Sequence, residues 1–261
     1  MNEKQKEALV KELYEKYPYP SRIVTSKEEI SYFAQWVAKT FDEDAGYWKG
    51  KTVLELGCGT GELACALALS GAKITAIDFS LSSIKKARGL AKKLGVAKKT
   101  KFIEKNILNI KEDEFGGKFD CVIALGSLHH TINAKKGFEI GCANLKKGGI
   151  IVIGLYNKYA RMRHRARRVF LRAFAGNNID KRIAFGEKLF GSNKNKFWAA
   201  DKYGQVHESY HSVSEINKWF KGEKIEFISS RPRIKTPRIG ELKWLFEKKG
   251  AFFVMVGCKK D

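Results

Sequence analysis

The sequence predicts an α/β protein with a doubly wound, mainly parallel sheet of seven strands and a helical insertion after the fifth strand. Three observations carry this. The apolar stretch 52–56 runs straight into a glycine-rich turn, Gly57-Cys58-Gly59-Thr60-Gly61. A second apolar strand, Lys73-Ile74-Thr75-Ala76-Ile77, ends on Asp78, seventeen residues after Gly61. Strand-like and helix-like segments then alternate as far as residue 155, the pattern of a parallel sheet covered by helices.

Each element has its own signal. Residues 3–15 are helix formers with Leu9, Val10 and Leu13 on one face. In Tyr17-Pro18-Tyr19-Pro20-Ser21 the residue before each proline avoids the helical region, so this segment is extended. Ser26-Lys27-Glu28-Glu29 reads as a capping box opening a helix with Ile30, Phe33, Ala34, Val37 and Phe41 inward. Strand 51–56 leads to helix 61–70, and strand 72–77 to helix 81–94 with Ser80 as N-cap. Strand 100–104, a loop and strand 119–124 follow, and helix 134–146 leads into strand 149–155.

Beyond the fifth strand the pattern changes. Residues 157–211 are rich in Arg, Lys and Asn. There Tyr159, Met162, Ala166, Val169, Phe170 and Ala173 recur at helical spacing, while Arg161, Arg163, Arg165, Arg167, Arg168 and Arg172 fill much of the rest. Two readings stand: a lid helix packed on the core by its apolar stripe with a solvated basic face, or an arm for RNA or another polyanion. Ser212-Val213-Ser214-Glu215 is a second capping box, opening a helix that ends near Phe220. Strands 224–230 and 251–257 complete the sheet, with a basic loop, 231–238, between them. The expected organisation is an N-terminal helical cap (1–45), a ligand-binding core (46–156), a basic helical insertion (157–211) and a C-terminal completion of the sheet (212–261).

Bulk properties bound the function. A chain of 261 residues, 44% hydrophobic, can bury a large core. The N-terminus is charged and lacks a secretory apolar region, and no apolar run approaches the roughly 18 residues of a membrane span. The five cysteines (58, 65, 121, 142, 258) show no C-x-x-C spacing and read as reduced core residues, so a cytoplasmic protein is expected. The net charge of +22 suits RNA, an anionic substrate or a membrane surface, and equally a lysine-rich solvated surface.

The glycine turn argues against a dinucleotide. Gly57 and Gly59 fit the G-x-G start of that fingerprint, but Glu62 stands where it needs a third small residue. No Gly-Lys-Ser/Thr follows, so it is no P-loop either. Glu55, two residues before the first glycine, would repel a pyrophosphate and suit a cationic ligand.

These residues resemble the class I S-adenosylmethionine-dependent methyltransferases. V-L-E-L-G-C-G-T-G (53–61) looks like their first motif, A-I-D-F-S (76–80) like their second, F-D-C-V-I-A-L-G-S-L-H-H-T (119–131) like their fourth strand and its loop, and Leu145-Lys146-Lys147-Gly148-Gly149 like the turn into their fifth strand. The resemblance covers roughly residues 50–155. It implies a Rossmann-like methyltransferase sheet whose last strand runs antiparallel between the fifth and sixth, with S-adenosylmethionine as cofactor. Gly57, Gly59 and Gly61 would let the backbone approach the ligand, with Cys58 beside them, and the helix opening near Gly61 would face its carboxylate. Glu55 would hold the ammonium, Asp78 the ribose hydroxyls and Phe79 the adenine. Asn106 stands where the family often has Asp, and its carbonyl could accept from the adenine amino group. Ile107 and Leu125 complete the expected cofactor set.

The loop Gly126-Ser127-Leu128-His129-His130 leaves the fourth strand at the same rim. His130, with His129 beside it, could be a base or substrate clamp, or could only shape the loop. Tyr156 and Arg161 are candidate substrate residues, as are His207 and His211. The last two belong to a cluster with Glu208 and Tyr210 that could fold over the site or form a surface loop. No zinc spacing is present and no metal is expected. Ala124-Leu125-Gly126 replaces the Asn/Asp-Pro-Pro-Tyr/Phe of enzymes methylating planar amino groups, and no cysteine has a Pro-Cys context. These absences argue against methylation of planar amino groups and of pyrimidine C5; the G-x-L-H-H loop, which in similar methyltransferases lines the acceptor pocket, and the inserted lid point to a small or medium-sized acceptor. An RNA methyltransferase and a non-catalytic scaffold that binds S-adenosylmethionine are the alternatives. Oligomeric state is not legible in these residues.

Overall fold

The computed structural model describes residues 2–191, 195–234, 239–245 and 251–260. One mixed sheet organises them: β1 (Thr52–Leu56), β2 (Lys73–Asp78), β3 (Thr100–Glu104), β4 (Phe119–Leu125), β5 (Leu145–Tyr156), β6 (Ile225–Arg231) and β7 (Phe252–Lys259). Their order is β3-β2-β1-β4-β5-β7-β6. The first five are parallel, and β7 runs antiparallel between β5 and β6. β1 and β4 are apolar nearly throughout because both faces of the sheet are covered. After β3 the chain crosses back to the other side of β1, so a crevice opens at the carboxyl ends of β1 and β4.

The helices are α1 (Glu3–Lys16), α2 (Glu28–Ala38), α3 (Glu62–Leu69), α4 (Leu81–Lys93), α5 (Ala134–Ala143), α6 (Met162–Ala175), α7 (Ile179–Phe190), α8 (Lys196–Ala199), α9 (Val213–Gly222) and α10 (Ile239–Leu242). A π-helical turn, Ala200–Gly204, continues α8. On one face of the sheet α2, α3 and α4 bury Val37, Leu67 and Ile84 with Trp48. On the other, α5 and α9 bury Phe138, Ile216 and Phe220. Among the described residues no helix is long and apolar enough to cross a membrane.

Local expectations fare unevenly. Ser80 caps α4 through Ser83 N–H at 3.1 Å, and the Ser212–Glu215 capping box forms. The box at Ser26 does not: α2 starts after Lys27 without a side-chain cap, and Glu29 reaches back to the Thr25 N–H instead, at 2.7 Å. The helix before β5 stops at Ala143, and Gly148-Gly149 lies inside the strand. Of the basic loop 231–238, residues 235–238 lie outside the described part.

The larger correction concerns α6. Its inward face is Arg161, His164, Arg168 and Leu171, while Met162, Val169, Phe170 and Phe174 are exposed. Ala166 and Ala173 are exposed as well. The cause is Glu208, whose buried carboxylate accepts from Arg161 Nη2 at 2.8 Å and from Arg168 Nη1. The segment holding Glu208 is no free surface loop. His211 bridges to Asn157, the Ser209 N–H donates to the His129 carbonyl at 2.8 Å, and the His211 N–H donates to the Tyr156 carbonyl at 2.9 Å.

Candidate active site

The crevice contains a cavity of about 620 Å³ at the carboxyl ends of β1, β2 and β4, a size suited to a small-molecule ligand. Its floor is the glycine turn. The Gly57 and Cys58 N–H groups both donate to the Ile77 carbonyl, at 2.7 and 2.9 Å, which folds the chain back over the end of β2. Gly59 has φ +52°, and a Cβ there would lie 2.2 Å from the Tyr19 carbonyl oxygen. That position needs glycine because the chain's own N-terminal segment crosses it. Gly61 does not line the cavity; a Cβ there would meet Ala87 at 2.7 Å, so it seats α3 against α4.

Three carboxyl groups line this floor: Glu55, Glu62 and Asp78. Glu55 is buried and its Oε2 has no hydrogen-bond partner. Burial, then repulsion from Glu62 and Asp78, pushes its pKa to about 8. Asp78 is pushed up to about 6 by burial, against the donating N–H groups of Ser80 (3.0 Å) and Gly59 (2.9 Å). Glu62, whose only sequence signal was its odd place in the motif, accepts from the Arg22 N–H at 3.0 Å and from the Thr60 hydroxyl. A buried carboxyl with one oxygen unpartnered, beside two other carboxyls, fits a cationic ligand and disfavours a pyrophosphate.

Cys58, Phe79, Ile107 and Leu125 line the same cavity. Burial raises the Cys58 thiol well above its ordinary value. Asn106 lines it too, but its carbonyl already accepts from the Leu108 N–H at 2.9 Å and its amide donates to Glu7 of α1.

At the other end of the cavity stand His130 and Tyr156. His130 Nδ1 lies 3.3 Å from the His207 carbonyl, which places the proton on Nδ1 and leaves Nε2 an acceptor. Burial lowers its pKa, so the ring is neutral near pH 7. His129 is separate: fully buried, outside the cavity, with neither ring nitrogen bonded, its ring 3.9 Å from that of Tyr156. Arg161 also stays outside, its guanidinium 3.6 Å from the Tyr156 ring centroid and paired with Glu208, so it backs Tyr156 rather than facing a ligand. His207 sits behind His130, with Nε2 3.0 Å from the Thr131 carbonyl. His211 spends both ring nitrogens on Ser209 and Glu215, at 2.8 and 2.9 Å, and does not reach the cavity.

His129, His130 and Glu208 could reach one metal ion. Burial favours a neutral Glu208, but Arg168 and Arg161 outweigh it and hold the carboxyl near 2. Its charge is already matched by two guanidinium groups, so a cation would have to displace them.

Spacing along the chain could not reveal the cover of the cavity. Glu7, Tyr14, Tyr19, Pro20 and Arg22 line it from the N-terminal segment, Tyr32, Phe33 and Trp36 from α2, Trp198 and Asp201 from the insertion, and Phe252 from β7. Glu15 of α1 accepts from the Leu81 and Ser82 N–H groups at 2.6 and 3.0 Å, capping α4 from outside. Tyr14 donates to Asp201 at 3.2 Å and accepts from Gln205 at 2.5 Å, tying α1 across the cavity to the insertion. The amphipathic face of α1 is the one sequence signal that pointed this way.

A family profile described as a methyltransferase domain matches residues 48–218. The chain is 26% identical over 259 residues to an uncharacterised protein of Synechococcus sp., a match covering 88% of this chain and 62% of that one. It is 32% identical over 120 residues to the ubiquinone biosynthesis O-methyltransferase of Shewanella pealeana, covering 46% of this chain and 50% of that one. The chain thus spans only part of the length of these curated relatives. Among solved structures, magnesium protoporphyrin IX methyltransferase of Synechocystis, with bound S-adenosylmethionine, superposes with a TM-score of 0.59 at 14% identity over 100% of this chain and 98% of that one. With the sheet order, the glycine turn and the acidic residue ending β2, these matches place the chain in the class I S-adenosylmethionine-dependent methyltransferase family.

Proposed function

We propose that this chain transfers the methyl group of S-adenosylmethionine to a small or medium-sized, largely apolar acceptor through an ionisable hydroxyl. The observation that carries this is His130, a buried neutral imidazole with a free Nε2, in a cavity shared with the rings of Tyr14, Tyr156, Trp198 and Phe252. The partial likeness to ubiquinone biosynthesis O-methyltransferases supports oxygen as the accepting atom.

When bound, the cofactor supplies an electrophilic methyl group on a sulfonium. Of the residues lining the cavity, Glu55 would hold the ammonium of its methionine part, Asp78 would accept from its ribose hydroxyls, and Phe79, Ile107 and Leu125 would pack on its apolar parts, with the backbone of Gly57 and Gly59 close by. His130 accepts the acceptor's proton at Nε2, and the His207 carbonyl stabilises the resulting imidazolium through Nδ1–H. Tyr19 and Trp198, with ring centroids 5.2 Å apart, help keep water out. Five free thiols suit a reducing, cytoplasmic setting, which belongs to the same proposal.

The test incubates the purified protein with methyl-labelled cofactor and a panel of phenols, enols and carboxylic acids beside RNA. Label on a hydroxyl, lost in His130→Ala, is the expected result. The charge of +22 favours an RNA acceptor as the second reading; label in RNA alone would replace the first.

A further inference from the structure

The outer face of α6 has no role in the site described above. Met162, Val169 and Phe174 stand there 52%, 70% and 68% exposed, with Ala166 and Ala173 between them. The patch continues through Phe170, whose ring lies 4.5 Å from that of Phe174 and stacks on Phe185 of α7 at 6.2 Å. Arg163, Arg165, Arg167 and Arg172 flank it, all exposed, and the helix carries no acidic residue. A soluble surface seldom leaves a contiguous apolar stripe of this kind without a partner.

We propose that this face docks the protein on an anionic phospholipid surface, with Met162, Val169 and Phe174 entering the headgroup–acyl boundary and the arginines pairing with lipid phosphates. An apolar stripe framed by arginine is the composition of helices that lie in the plane of a membrane. Two competing occupants fit less well. RNA would engage the arginines and could stack a base on Phe174, but most of the stripe, Met162, Ala166, Val169 and Ala173, offers no ring and would be left uncovered. A second copy would bring two arginine-rich faces together in a chain of net charge +22.

The experiment co-sediments the full chain with vesicles of phosphatidylcholine alone and of equal parts phosphatidylcholine and phosphatidylglycerol, at low and high salt. Binding to the anionic vesicles only, weakened by salt, is expected. Replacing Arg163, Arg165 and Arg167 by Gln should weaken it by about fivefold per residue. Replacing Met162, Val169 and Phe174 by Ser should weaken it at least about tenfold. Unfolding temperature and cofactor binding serve as controls, and should the serine variant not fold, the glutamine variant decides alone. No sedimentation with either vesicle overturns the proposal, as does equal sedimentation with both. Full binding by a folded serine variant, or by the glutamine variant, also overturns it. RNA binding or concentration-dependent dimerisation that depends on this face, without vesicle binding, would reassign it. None of these readouts needs turnover, so they stand apart from the identity of the methyl acceptor.

Discussion

Glu55 makes cofactor binding readable through pH. In the free protein its carboxyl is held near 8 by burial and by Glu62 and Asp78, so near pH 6 only about one molecule in a hundred has it ionised. An ammonium group beside it reverses that preference, because a nearby opposite charge favours the carboxylate. Binding must then release a proton, and affinity must rise with pH until the free carboxyl ionises unaided. From about pH 6 to about pH 7.5 the cofactor's amino group stays largely protonated, while the ionised fraction of a group titrating near 8 grows roughly 20-fold. Kd should fall by about that factor. Isothermal titration calorimetry in two buffers of different ionisation heat measures both Kd and the protons released. Glu55→Gln should bind more weakly, with the slope and the proton release largely gone. A wild-type Kd flat across this window, or a slope that survives intact in Glu55→Gln, would refute the placing of the ammonium on Glu55. Stability runs opposite to the usual carboxylate case. The folded state keeps a proton that the unfolded chain loses above its ordinary value of 4.5. The free protein therefore loses stability as pH rises from about 4.5 to about 8, on the order of 5 kcal/mol in all. Without cofactor, Glu55→Gln should melt higher than the wild type near pH 8.

His130→Ala should cut turnover by about 10²–10⁴-fold while leaving cofactor Kd within a few-fold; because burial lowers the His130 pKa, the acid limb of kcat should fall below the ordinary histidine range of about 6.5. Unchanged turnover would reduce His130 to a loop residue. Gly59→Ala, with its Cβ 2.2 Å from the Tyr19 carbonyl, should push the N-terminal segment off the floor, raising Kd for the cofactor and speeding proteolysis between residues 17 and 27; equal proteolysis would show that the segment yields without opening. Glu208→Gln strands Arg161 and Arg168 and should cost about 3–5 kcal/mol in chemical denaturation. Since the Glu208 carboxyl is held near 2, its contribution should be complete above about pH 4.5 and fade as pH falls toward about 2.

The central sheet was legible because β1, β2 and β4 are buried on both faces and so carry apolar runs bounded by turn chemistry. The floor of the cavity was legible for a related reason: Glu55, Gly57, Gly59 and Asp78 are local features at strand ends, and position along a strand fixes position at the rim. The cover was not. Tyr14 meets Ser80 from 66 residues away, and Asp201 meets Tyr14 from 187 away. Pairing over such distances leaves no local periodicity. Asn106 shows the mixed case, since its position at the end of β3 follows from pattern while its engagement by Glu7 follows from α1 lying across it.

The inverted reading of α6 has a definite energetic cause. The helix carries an apolar stripe and an arginine stripe, so it has two amphipathic orientations, and periodicity alone ranks the apolar one first. Turning Met162, Val169 and Phe174 inward would stabilise by about 1.5–3 kcal/mol each if burial were complete. The same turn would remove Arg161 and Arg168 from Glu208, whose side chain is 1% exposed. A buried carboxylate left without its cations costs several kcal/mol. Tyr156 would lose the guanidinium packed on its ring and, with it, the support of one wall of the cavity. Glu208 lies 47 residues from Arg161, so no window along the helix contains the group that decides its orientation. Because the arginine face is taken up behind the site, the apolar face is left to solvent, and it is available to any second apolar phase that carries negative charge.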